Sequence, residues 1–213
     1  MKRILLIVPV LLLFSMCTTV NLTLSDVESA DRVEDSEARY EAGLDAFNRQ
    51  DYTNAVDVWR PLAEEGDTRA QYYLGVMCEE GNGVLEDDGE AVRWYRLAAE
   101  QGVAAAQNNL GWRCQNGFNI PEDDGEAVKW YTLAAEQGDA DAQFLLGLMY
   151  YAGEGVSENH VYAYMWLNIA SSLGDENATE GKELVESRMA RSQIEKAQEL
   201  SLKCLNSIYR DCD

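Results

Sequence analysis

Ala70-Gln71-Tyr72-Tyr73-Leu74-Gly75 returns as Ala106-Gln107-Asn108-Asn109-Leu110-Gly111 and again as Ala142-Gln143-Phe144-Leu145-Leu146-Gly147, each copy 36 residues after the last. The second half of the unit repeats at the same offset: Trp94-Tyr95-Arg96-Leu97-Ala98-Ala99-Glu100-Gln101-Gly102 against Trp130-Tyr131-Thr132-Leu133-Ala134-Ala135-Glu136-Gln137-Gly138. A fixed period of this length marks stacked supersecondary units, none of which buries its apolar face alone. Arrays of this kind generally work by presenting a long surface to a partner.

Each unit reads as two helices. From Ala70 to Glu80, the residues Ala70, Leu74, Met77 and Cys78 recur at three- and four-residue spacing, which predicts a helix with one buried face. Gly81, Gly117 and Gly153 are its expected ends. Two positions further on stand Gly83, Asn119 and Gly155, the residue types that most readily adopt a left-handed backbone. Val84, Ile120 and Val156 follow as apolar pegs for the loop. Asp88 and Asp124 are expected to cap the second helix, with Glu90 and Glu126 in its first turn facing the helix dipole. Ala91, Tyr95 and Ala98 form that helix's inner face, and Gly102 closes it. The alanines, with Gly75, Gly111 and Gly147 on the first helices, predict close helix approach.

A shorter copy lies upstream, where Ala42-Gly43-Leu44 matches Leu74-Gly75-Val76 and Ala55-Val56 matches Ala91-Val92. Gly43 to Ala55 spans 12 positions, against 16 from Gly75 to Ala91. After Gly174 the pattern fades. Lys182 to Met189 and Gln193 to Leu205 read as two more helices, with Ser192-x-x-Glu195 as a capping box. They would cover the last open face of the stack. The chain therefore divides into an export signal at 1–17, a flexible acidic linker at 18–34, four repeats at 35–176, and capping helices with a tail at 177–213.

The charge is lopsided, with 38 acidic against 17 basic residues and a formal net charge of −21. Such a surface repels phosphate backbones and anionic head groups, which argues against nucleic acid or an acidic lipid surface as partner. A hydrophobic content of 46% is enough to build a core.

Lys2 and Arg3 precede an apolar run from Ile4 to Phe14. That run is shorter than the ~20 residues a membrane-spanning helix needs and matches the core of an export signal. Phe14-Ser15-Met16-Cys17 resembles a bacterial lipoprotein signal, in which Cys17 would become the lipidated first residue and attach the protein to a membrane. Phe14 and Met16 depart from that pattern, and ordinary cleavage after Cys17 or Thr19 is the other reading. Either reading places the protein in the periplasm or on the outer membrane. Export permits disulfides, and Cys204 and Cys212, close in sequence, are the favoured pair. Cys78 and Cys114 hold equivalent places in neighbouring units, where stacked helices sit about 9–10 Å apart. That is beyond disulfide reach, so both are expected as buried free thiols.

The repeated residues resemble the Sel-one-like repeat family, relatives of the tetratricopeptide repeats. The motif stands as Ala70, Leu74, Gly75, Gly81, Gly83, Val84, Ala91, Val92, Trp94, Tyr95, Ala98, Ala99 and Gly102. The next copy departs from it at Phe118 to Pro121, and the last at Leu167, Ser171 and Ser172. The resemblance spans about Glu37 to Asp175. It implies an all-α fold, a right-handed superhelical solenoid of antiparallel helix pairs, and an adaptor that holds another protein or peptide. It also brings in a competing reading, a periplasmic hydrolase of β-lactam or cell-wall amides, because some bacterial relatives have been linked to such chemistry.

Residues for that chemistry are sparse. The chain has one histidine, His160, and no S-x-x-K, G-x-S-x-G or H-E-x-x-H. No catalytic residue, metal ligand or cofactor is assigned. The acidic triplets Glu86-Asp87-Asp88 and Glu122-Asp123-Asp124 lack the alternating spacing of calcium loops. In the related tetratricopeptide fold the first helices line a concave groove. By register, the groove positions include Tyr40, Leu44, Tyr72, Val76, Trp112, Phe144, Leu148 and Tyr151, with Phe47, Asn108, Glu79 and Gln115 completing the rungs. Nine of these twelve are apolar or aromatic, more than a solvent face carries. These positions are the expected seat of a peptide or helix.

Overall fold

The 36-residue unit folds as a helical hairpin, and successive hairpins stack side by side. The computed structural model describes the backbone of residues 24–212 and the side chains of residues 35–212. Among these residues all regular structure is helical. The chain divides after Asp35 into two units. The described part of the first is the opening of helix α1 (Leu24–Asn48). The second, Ser36–Asp213, continues with α2 (Tyr52–Glu65), α3 (Thr68–Glu80), α4 (Asp88–Glu100), α5 (Ala104–Asn116), α6 (Asp124–Ala135), α7 (Ala140–Ala152), α8 (His160–Ser172), α9 (Glu176–Glu186) and α10 (Arg191–Asn206). From α2 to α8 each helix packs on the next, and α8 then receives both α9 and α10. Packing between sequence neighbours is what makes a solenoid.

The glycines of the first helices are seats for bulky residues of the second. A Cβ built at Gly75 would lie 2.7 Å from the Tyr95 ring, and one at Gly111 2.8 Å from Tyr131. Gly43 receives Trp59 in the same way, and Gly147 receives Leu167. The loops follow the expected pattern too, with φ of 72° at Gly83, 59° at Asn119 and 64° at Gly155. Side chains at Gly83 and Gly155 would collide with the backbone of Tyr52 and Asp124, while Asn119 is exposed and has room for one.

A second repeating device is a glutamine ladder. Gln71, Gln107 and Gln143 are buried and donate to the carbonyls of Ala63, Ala99 and Ala135 at 3.0, 3.0 and 3.1 Å. Gln101 then donates to Gln71 Oε1 at 2.8 Å, and Gln137 to Gln107 Oε1 at 2.7 Å. The next register position holds Leu173, and Gln143 Oε1 is left without a donor.

The helix boundaries correct several expectations. The linker assigned to 18–34 is helical from Leu24 onward, a stretch with neither Pro nor Gly to oppose a helix. The export signal at 1–17, with Cys17, lies outside the described residues. The caps of α4 and α6 are Asp87 and Asp123, whose carboxylates accept from the Glu90 and Glu126 amides at 2.9 Å each. Asp88 is thereby free to turn toward Arg113. α9 begins at Glu176, earlier than Lys182, because Asp175 caps it through the Ala178 amide at 2.9 Å. The expected box at Ser192 gives way to a start at Arg191. There Gln193 accepts from the Ala190 amide at 2.8 Å, while Glu195 binds Arg191.

At the C-terminal end α10 packs on α8, where Trp166 and Ile169 are buried, and Cys204 is joined to Cys212 with Cα atoms 4.3 Å apart. Cys78 and Cys114 are buried free thiols. Among the described residues no helix is long and apolar enough to cross a membrane.

Candidate interaction groove

The first helices α3, α5 and α7 each contribute residues to one surface feature. Between them is a depression of about 390 Å³ lined by Glu79, Asn108, Asn109, Trp112, Asp141 and Leu145. Trp112 and Leu148 are exposed, at 43% and 36%, and the Trp112 ring lies 5.7 Å from the equally open Phe118. Leu44, Tyr72, Val76, Phe144 and Tyr151 are half-buried. Tyr40 departs from the expected exposure and is 8% accessible. Its ring stacks on Trp59 at 6.0 Å, its carbonyl accepts from the Trp59 indole at 3.1 Å, and the Arg69 guanidinium covers it at 3.9 Å. The first hairpin, with its shorter connection, draws Tyr40, Phe47, Trp59 and Tyr73 into one aromatic cluster.

Beneath the groove lies a group that helix-by-helix reading misses. Arg113 is 1% accessible and donates to Glu79 at 2.7 Å and to Asp88 at 3.4 Å, tying α5 to α3 and α4. Glu79 also accepts the Tyr95 hydroxyl at 2.6 Å. Burial, then this hydrogen bond to a carboxylate, pushes the Tyr95 phenol far above its ordinary range. At the next interface the same stations hold Gln115, which accepts from Tyr131 at 3.0 Å, and Met149. The signal was present in the register, where Arg113 stands between Met77 and Met149 in three otherwise matching helices.

Burial first, then Tyr73, Asp139 and Glu79, raises the Tyr72 hydroxyl above its usual pKa. Asp139 is itself raised by burial, although it accepts the Ala142 amide. His160 sits with Glu158 at 3.3 Å and the Tyr151 ring at 5.7 Å. Of the acidic triplets, Asp87 and Asp123 cap helices and Asp88 binds Arg113. Among the described residues no group of three His, Cys, Asp or Glu is placed to hold a metal ion.

Comparison with known proteins accords with this geometry. The Sel1 repeat model matches residues 68–103, 104–139 and 140–175, which are the hairpins α3–α4, α5–α6 and α7–α8. The chain is similar, at 36% identity and a TM-score of 0.65, to a protective antigen present in uropathogenic Escherichia coli strains that displays an SLR fold. That match covers 74% of this chain and 35% of the antigen, so the chain spans about a third of that relative's length. A Sel1 repeat protein from Oxalobacter formigenes is similar at 36% identity and a TM-score of 0.56, over 59% of this chain and 94% of the other. No curated protein matches the chain. Three consecutive repeats in register, occupying half the chain, and a solenoid of helical hairpins make this protein a member of the Sel1 repeat family.

Proposed function

We propose that this protein is a non-enzymatic adaptor of the bacterial cell envelope, holding a segment of another protein in the groove of its first helices. Sel1 repeat proteins are generally protein-interaction scaffolds. The observation that carries the finer reading is the open Trp112, with Leu148 exposed one repeat further on, beside a depression shared by three helices. An exposed tryptophan on a rigid helix is a typical interface anchor. Export is supported by Lys2-Arg3 and the apolar run to Phe14, and an oxidising compartment by the Cys204–Cys212 disulfide. Cys17 would supply a lipid anchor if the lipoprotein signal is used. A hydrolase finds no comparable support, since the sequence carries no S-x-x-K, G-x-S-x-G or H-E-x-x-H motif.

The test is capture from envelope extract by the wild-type chain beside a Tyr72→Ala, Trp112→Ala, Phe144→Ala triple variant. A protein held by the wild type and lost from the variant supports the adaptor. Equal capture by both refutes the groove assignment. Turnover of a chromogenic β-lactam by the purified chain would refute the non-enzymatic reading.

A further inference from the structure

Resting on that reading of the groove, we propose that the depression beside Trp112 receives a basic side chain, Lys or Arg, from an otherwise apolar segment of the partner. The charge balance of the lining points this way. The only basic residues on α3, α5 and α7 are Arg69 and Arg113. Both are consumed internally, Arg69 by Glu37 and Asp67 and Arg113 by Glu79 and Asp88. Asp141 lines the same depression, is exposed, and forms no ion pair among the described residues. An indole face with a carboxylate near it is the environment a cationic head group prefers.

A neutral occupant would strip water from Asp141 without replacing it, and that desolvation costs free energy. An acidic occupant would meet like charge here and over a chain of net −21. The wall of the depression has one more feature. Asn108 Oδ1 is shut from solvent and has no donor. Turning that amide toward the depression therefore breaks no hydrogen bond at its oxygen and provides an acceptor for an ammonium or guanidinium N–H. An apolar neighbour of the basic residue finds Leu145 in the same lining.

Fluorescence anisotropy of labelled peptides against the full-length chain tests this. The probes are a peptide of alternating Lys and Leu, its Glu–Leu counterpart and a Ser–Leu counterpart. The Lys–Leu peptide should bind tightest and weaken as salt is raised. Trp112→Ala should weaken it about tenfold or more, and Trp112→Phe, which keeps a ring, should weaken it less. Asp141→Asn should weaken it about threefold, while Glu199→Gln, at an exposed position of α10, leaves it unchanged. If the Ser–Leu peptide binds as tightly and is lost with Trp112, the basic-residue inference fails and the groove stands. If Asp141→Asn and Glu199→Gln act alike and Trp112→Ala does nothing, binding is diffuse attraction, and both inference and groove fail. No binding of the Lys–Leu peptide overturns the inference, and the capture experiment then judges the groove separately.

Discussion

Arg113→Met places in one repeat the residue that the next already has at the same station, Met149, and should nevertheless destabilise the protein. Arg113 is buried and binds Glu79 and Asp88 at 2.7 and 3.4 Å. Removing one partner of a buried pair costs ~3–5 kcal/mol, because the other charge is left behind. Here the carboxylates keep side-chain exposures of 34% and 27%, so water recovers part of the loss. Asp88 also lies in the first turn of α4, where the helix dipole favours it. The expected cost is about 2 kcal/mol, or a Tm lower by about 4–8 °C for a chain of this size. Adding Glu79→Gln recreates the Gln115–Met149 pairing found one interface along, with Tyr95 donating to the amide as Tyr131 does. The double variant should recover about 1 kcal/mol or more of the loss. Urea denaturation followed by far-UV circular dichroism measures all three. A single variant within about 0.5 kcal/mol of wild type, or a double variant no more stable than the single, refutes the reasoning.

Leu173→Gln should supply the donor that Gln143 Oε1 lacks and stabilise the chain by about 1 kcal/mol, while Leu173→Ala gains nothing; equal denaturation midpoints for both would refute the ladder argument. Glu90 is held below its ordinary 4.5 chiefly by its hydrogen bond from Arg60, at 2.8 Å, and further by one from Trp94. A lowered folded pKa contributes stability that is present above 4.5 and lost as pH falls through the folded value. Denaturation midpoints should therefore fall across that acid window in the wild type and fall less steeply in Glu90→Gln; parallel profiles would contradict this. Burial pushes the Cys78 and Cys114 thiols up to about 11. Neither should react with iodoacetamide in the native protein at mildly alkaline pH, and both should react in urea, as peptide mass spectrometry will show.

Much of the architecture is legible in the sequence because the repeat compares itself. Gly83, Asn119 and Gly155 announce a left-handed turn, and Gly75, Gly111 and Gly147 announce close helix approach. What escapes is set by lateral neighbours, which the spacing along one helix does not report. Tyr40 and Tyr72 share a register, yet Tyr40 is roofed by Arg69 because the first hairpin packs its aromatics together. Asp88 has the composition of a cap and becomes an ion-pair partner because Asp87, one residue earlier, meets the free amide first. Of the twelve register positions, Glu79, Asn108 and Trp112 line the depression, and the buried ion pair beneath it emerges only when α3, α4 and α5 are brought together.

Leu148 and Leu97 allow a matched comparison of the two faces that could meet the partner. Leu148 lies on a first helix and Leu97 on a second, and they are nearly equally exposed at 36% and 37%. A photo-crosslinking amino acid placed at either position in the producing cell, followed by mass spectrometry of the adducts, tests most directly which face meets the partner. A discrete protein adduct is expected from position 148 and none from position 97. An adduct from position 97 with none from 148 would contradict the groove assignment.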